Sequence, residues 1–373
     1  MIRKFHFISL IVIHSLTLAC HQSDKQNMLA TAGNSLNTHR PEELHQDTFL
    51  EMGKNASKTN VTKEKKLNSS LPNTQGFWPK NTFIWENQER RFDYFVPSKA
   101  TSTAKLPLVI VLHGHGANVE ITTGKTRAAA PQSEWLTLAE KESFLVLYPE
   151  GITSPDKLQG WNDCRSDATT NPETDDVGFI LKLLELLKQE LPIDPKRVYV
   201  KGTSNGGHMA IRLALEAPEK FAAIAPILGA MPANSECADK LASMPIMFMN
   251  GTKDPIMPYL GGSMGAKGNR GHVLSTKDSV QFWINRNQTE RITQTINLPN
   301  TNLFDASRIK LIRYLNHQND RDVWLVEISG GGHAEPSKKH QYSWLFESQV
   351  IGKQNHDVEM AEIVWSFFKT RIK

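Results

Sequence analysis

From residue 106 to 112 the chain reads Leu-Pro-Leu-Val-Ile-Val-Leu, with no polar side chain, and the run stops at His113-Gly114-His115-Gly116. A short continuous apolar run that ends in glycines is the pattern of a strand buried on both faces. Similar runs or alternations predict strands over 144–148, 197–201, 222–228, 246–250, 308–315 and 323–328, and residues 83–85 with 91–96 predict an opening antiparallel pair. Between them, apolar residues recur at helical spacing over 134–141, 177–190, 209–217, 277–286 and 358–368. Thr174 and Asp175 suit the cap of the second of these helices. Strand and helix thus alternate, which predicts a mostly parallel sheet covered by helices on both faces, with ligand sites at the carboxyl ends of the strands.

One junction in this pattern carries chemistry. The strand at 197–201 turns straight into a helix, and the turn reads Gly202-Thr203-Ser204-Asn205-Gly206. A GxSxG between a strand and a helix is the setting of a nucleophile elbow, in which flanking glycines let strand and helix pack closely around an exposed serine hydroxyl. A second GxSxG, Gly261-Gly262-Ser263-Met264-Gly265, follows a proline-rich loop and has no strand before it or helix directly after it. Context therefore selects Ser204.

A serine hydroxyl is a poor nucleophile alone; it needs a base to take its proton and a carboxylate to orient that base. In this fold type the order along the chain is serine, acid, histidine. Asp254 stands directly after the strand at 246–250, and His333 follows Gly330-Gly331-Gly332 directly after the strand at 323–328. Asp278, Asp305, Asp320 and Asp322 compete for the acid, at a helix start or in polar loops. His208 lies one turn past Ser204 and reads as a packing residue; His272, His317, His340 and His356 follow no strand end and read as surface histidines. A developing oxyanion needs two backbone donors, for which the N–H of Asn205 and that of His115, with Gly114 as the alternative, are best placed.

Composition adds the setting. The 373 residues are 39% hydrophobic, ample for a core. The formal net charge of +4 shrinks without Arg3 and Lys4, and no basic run with interleaved aromatics points to nucleic acid. The 13 histidines show no metal-ligand spacing, so neither a metal nor another cofactor is expected. Residues 1–20 read as a targeting segment: two basic residues, an apolar stretch too short to span a membrane comfortably, then Leu16-Thr17-Leu18-Ala19-Cys20. That ending looks like a lipoprotein signal in which Cys20 is acylated; ordinary cleavage after Ala19 is the alternative. Residues 21–70, rich in Asn, Ser, Thr, Lys and Gln, read as a tether of roughly 40 Å root-mean-square span. The catalytic domain is expected over 71–373. With Cys20 lipidated, Cys164 and Cys237 remain, and an exported protein can pair them; two free buried thiols are the alternative.

The segments VIVLHGHGAN, GWNDC followed by DDVGFI, VKGTSNGGHMA, NGTKDPIMPYLGG and GGGH, in that order, resemble the secreted feruloyl esterase and polyhydroxybutyrate depolymerase-like esterases of the α/β-hydrolase fold, over about residues 75–370. The resemblance implies Ser204 as nucleophile, Asp254 as orienting acid, His333 as base and the loop at His115 for the oxyanion. It also implies that Trp161 lies near the site, contacting substrate, and that Cys164 pairs with Cys237. It departs after the histidine, where family members often carry an aromatic residue and proline and this chain has Ala334-Glu335-Pro336. The expectation is an exported serine esterase acting through an acyl-enzyme on feruloyl or acetyl esters of plant polysaccharide, anchored at the outer membrane by lipid, or secreted or periplasmic. Hydrolysis of polyhydroxyalkanoate or its oligomers is the alternative; a peptidase on the same fold and a non-catalytic binding lipoprotein are the readings from other classes.

Overall fold

The computed structural model describes residues 75–101, 103–265, 269–289, 292–316 and 320–373. The leader at 1–20 with Cys20, the tether at 21–70 and His317 lie outside the described residues. No helix among the described residues is long and apolar enough to cross a membrane.

Ten strands form one sheet: β1 (Gly76–Trp85), β2 (Gln88–Val96), β3 (Leu106–Leu112), β4 (Leu145–Pro149), β5 (Ile193–Thr203), β6 (Ala223–Ile227), β7 (Ile246–Gly251), β8 (Ile292–Asn297), β9 (Arg308–Tyr314) and β10 (Val323–Ser329). Their order across the sheet is β1-β2-β4-β3-β5-β6-β7-β10-β9-β8. The six central strands, β4 to β10 in that order, are parallel, and antiparallel strands flank them at both edges. The central strands are buried on both faces, which is why they read as apolar runs rather than alternations: every residue of β4, β6 and β7 is buried.

Helices cover both faces. On one side α2 (Asp176–Glu190), α3 (Asn205–Glu216) and α4 (Thr276–Asn287) pack Phe179, Leu183, Leu213 and Trp283 against Ile110, Val200 and Phe248. On the other, α1 (Glu134–Glu142) and α5 (Met360–Phe368) pack Trp135, Trp365 and Phe368 against Val109, Tyr199 and Met247. Asp175 caps α2, its Oδ1 accepting from the Gly178 N–H at 2.8 Å. This is the α/β-hydrolase arrangement.

The structure goes beyond the predicted elements at several points, and the strand into the elbow starts at Ile193 rather than at residue 197. The opening strand starts at Gly76 rather than at residue 83; Pro79 and a bulge between Trp78 and Asn81 break its alternation. Strand β8 was not predicted, because an edge strand with mostly exposed side chains carries little apolar signal. A turn of helix at Trp344–Phe346 running into a π-helical turn at Glu347–Ile351 was also unforeseen.

Candidate active site

Strand β5 meets α3 at Ser204, whose φ of 54° and ψ of −120° lie where non-glycine residues rarely sit. Close packing enforces the turn. A Cβ on Gly202 would fall 1.9 Å from the Gly206 carbonyl oxygen, and one on Gly206 would fall 2.4 Å from that of His113. Only glycine fits either position, which gives the GxSxG spacing its physical cause. The Ser204 N–H donates to the Ile227 carbonyl at 2.9 Å, tying the elbow to the end of β6.

Asp254 and His333 come from the loops after β7 and β10, adjacent strands in the sheet. His333 Nε2 is 2.9 Å from Ser204 Oγ, and its Nδ1 is 2.6 Å from Asp254 Oδ2. The other carboxylate oxygen, Asp254 Oδ1, accepts the N–H groups of Ile256 and Met257, each at 2.8 Å. The carboxylate is thus clamped from its own loop and presents its remaining oxygen to the imidazole. The glycines before His333 let this loop run against its neighbours: a Cβ on Gly332 would lie 2.2 Å from the Ile351 carbonyl oxygen, and the His333 N–H donates to that same carbonyl at 2.5 Å.

The loop after β3 lies against the elbow. A Cβ on Gly114 would come within 3.4 Å of Ser204 Cβ. The Gly151 N–H donates to His113 Nε2 at 2.9 Å, so His113 Nδ1 carries the proton and donates to the Gly114 carbonyl at 2.9 Å. Burial lowers the His113 pKa to about 4, so the ring stays neutral in this role. Since C=O and N–H point oppositely across a trans peptide, the bond to the Gly114 carbonyl turns the His115 N–H away from His113. The His115 ring pairs with Asp156 at 2.7 Å. Asn205 begins α3, with its backbone N–H at the helix N-terminus.

Trp161 lies beside the elbow with its side chain fully buried. Its indole N–H donates to the His113 carbonyl at 3.0 Å, and its backbone N–H donates to Asn205 Oδ1 at 2.7 Å. The Asn205 amide in turn donates to Asp163 Oδ2 at 2.6 Å. Burial raises the Asp163 carboxyl, but the Arg165 guanidinium at 2.6 Å and the Asn171 amide together bring its pKa down to about 2. The residues of GWNDC therefore lock the loop after β3 to the start of α3. Sequence reasoning missed this lock; its only trace was a pair of polar residues, Asn162 and Asp163, between a tryptophan and a cysteine.

His208 is buried and bonds the Ser204 carbonyl through Nδ1 at 2.9 Å, not the hydroxyl. Asp278 pairs with Ser275 at the start of α4, Asp305 accepts from Ser307 and His356, and Asp322 pairs with Arg371. His340 is not a free surface group, since it bonds Glu134 at 2.9 Å. The second GxSxG sits in a two-residue strand, Gly262–Ser263, paired with His272–Val273. An open depression of about 590 Å³ lined by Thr301, Asn302, Leu303, Phe304, Lys338 and His356 includes none of Ser204, Asp254 and His333.

Cys164 and Cys237 form a disulfide with a Cα–Cα distance of 5.4 Å. Beside it the Glu236 N–H donates to the Cys164 carbonyl and the Ser166 N–H to that of Asn234. Closing a 73-residue loop constrains the unfolded chain by roughly 4 kcal/mol at most. Replacing both cysteines by serine is expected to lower the urea-unfolding free energy by about 2–4 kcal/mol; a change below about 1 kcal/mol would contradict this.

The family model described as "Putative esterase" matches residues 86–349, more than two thirds of the chain. A bifunctional acetylxylan esterase/xylanase of Neocallimastix patriciarum is 26% identical over 262 residues, 70% of this chain and 33% of that one. Feruloyl esterase B of Piromyces equi is 28% identical over 262 residues, 68% of this chain and 44% of that one. Poly(3-hydroxyalkanoate) depolymerase C of Paucimonas lemoignei is 32% identical over 134 residues, 36% of this chain and 30% of that one. The chain spans less than half the length of each of these relatives. With the fold and an extended family match in agreement, the chain belongs to the esterase family.

Proposed function

We propose that this protein is an exported serine esterase that hydrolyses carboxylic esters through a Ser204–His333–Asp254 triad. The observation that carries the reading is the hydrogen-bonded chain from Ser204 Oγ through both nitrogens of His333 to a clamped Asp254 carboxylate. His333 takes the Ser204 proton as Oγ attacks the ester carbonyl, and Asp254 stabilises the imidazolium that forms. The N–H groups of His115 and Asn205 receive the oxyanion. Collapse of the tetrahedral intermediate expels the alcohol with the proton from His333. Water, deprotonated by the same histidine, then cleaves the acyl-enzyme and releases the acid. In this reading Trp161, being buried, supports the oxyanion loop rather than touching substrate.

Feruloyl or acetyl esters of plant polysaccharide are the proposed substrates, in keeping with the acetylxylan and feruloyl esterase relatives; polyhydroxyalkanoate oligomers are the second reading, in keeping with the depolymerase relative. Export suits a chain with a disulfide, since such bonds persist in oxidising compartments. Cys20 lipidation, the leader and the tether remain part of the proposal. A short-chain p-nitrophenyl ester should give a burst of one nitrophenolate per protein before steady turnover. A parallel panel of methyl ferulate, acetylated xylan and hydroxybutyrate oligomers assigns the substrate. Turnover of the oligomers alone would replace the polysaccharide reading with the polyester one, and turnover of no ester would overturn both.

A further inference from the structure

Two buried charges stand next to the triad and take no part in the proposed chemistry. Lys201 lies in β5, three residues before Ser204, in register between Val111 of β3 and Ala225 of β6. Its side chain is fully buried, and Glu335, two residues after His333, is nearly so. Lys201 Nζ lies 2.5 Å from Glu335 Oε1, and both groups bond the hydroxyl of Thr203, the residue before Ser204. Glu335 is held from behind as well, since Gln354 Nε2 donates to its backbone carbonyl at 2.7 Å.

We propose that Lys201 and Glu335 are positioning residues: their ion pair braces the His333 loop against the strand that ends in Ser204, setting the distance between base and nucleophile. A charged pair inside a sheet loses hydration that mutual attraction rarely more than offsets, and apolar side chains of similar volume stabilise such places at least as well. Packing alone therefore does not call for Lys201 between Val111 and Ala225. What an apolar pair would lack is direction. The Lys201–Glu335–Thr203 contacts tie the chain two residues past His333 to the residue before Ser204, and at such a contact a displacement of about 1 Å costs on the order of 10²-fold in rate.

This inference rests on the triad reading, and its test separates the two. The double variant Lys201→Met/Glu335→Leu removes the brace without leaving a lone buried charge. It should melt within a few degrees of the parent, whereas Lys201→Met or Glu335→Leu alone should melt roughly 10 °C lower. Against p-nitrophenyl acetate the double variant should lose about 10- to 100-fold in kcat at unchanged KM, and its fluorophosphonate reaction at Ser204 should slow by a similar factor. Parent-like kcat and labelling rate in the stable double variant would overturn the brace, as would a rise in KM at unchanged kcat. If the double variant does not fold, Lys201→Met/Glu335→Gln decides, since it removes both charges yet keeps an acceptor for the Thr203 hydroxyl: kcat should fall several-fold with the Tm within a few degrees of the parent, and parent-like kcat would again overturn the brace. Absence of Ser204 labelling in the parent would instead sink the triad reading, and the brace with it.

Discussion

Ser204→Ala is expected to reduce turnover of a p-nitrophenyl ester by about 10⁶-fold, equivalent to about 8 kcal/mol of transition-state stabilisation. The size of the loss follows from what the side chain does in the proposed mechanism: without Oγ there is no acyl-enzyme, and His333 has no hydroxyl to deprotonate. The fold should be indifferent. Alanine meets the same backbone strain as serine at φ 54°, and among the described residues the hydrogen bond that Ser204 Oγ loses is the one to His333. A Tm within a few degrees of the parent is therefore expected beside the kinetic loss. A residual activity above about 10⁻³ of the parent would mean that another group attacks the ester.

Asp254→Asn should cost about 10⁴-fold in kcat with little change in KM. The isosteric amide can keep its oxygen on the Ile256 and Met257 N–H groups, which are both donors. Its NH₂ then faces His333 Nδ1, where Asp254 Oδ2 now stands at 2.6 Å. That donor forces His333 into the tautomer with Nδ1 as acceptor and the proton on Nε2, so the nitrogen 2.9 Å from Ser204 Oγ can no longer take a proton. The same variant loses the carboxylate that stabilises the imidazolium. A nearly silent Asp254→Asn would move the acid elsewhere, although Asp278, Asp305 and Asp322 are each engaged by other groups.

Much of this was readable in the chain because two periodicities abut at one point. The alternation of 197–201 and the helical spacing of 209–217 leave only a short turn between them, and the glycines there are forced by contacts of 2.4 Å or less. Asp254 and His333 could be found for the same reason: each follows a largely apolar strand, and in a parallel sheet the loops after such strands share one end. Weakly patterned elements escaped. Strand β8 is an exposed edge, and the turns at 344–351 bury Glu347 and Ile351 while presenting Trp344, Leu345 and Phe346 to solvent, so neither shows a periodic apolar face in the sequence. The locks around the site escaped for a different reason. Asn205 with Asp163, and Lys201 with Glu335, are polar partners 42 and 134 positions apart, and neither residue type in isolation says whether it will be buried or what it will meet. Glu335 marks the point where the chain departs from the family pattern, and it turns inward to Lys201.

A single labelling experiment bears on the mechanism most directly. The folded protein is treated with a fluorophosphonate, digested, and the modified peptide mapped by mass spectrometry, alongside His333→Ala. The mechanism predicts one adduct per protein, on Ser204, forming at least 10³-fold more slowly when His333 is replaced. An adduct on Ser263 or any other residue, or labelling of Ser204 that does not depend on His333, would contradict it.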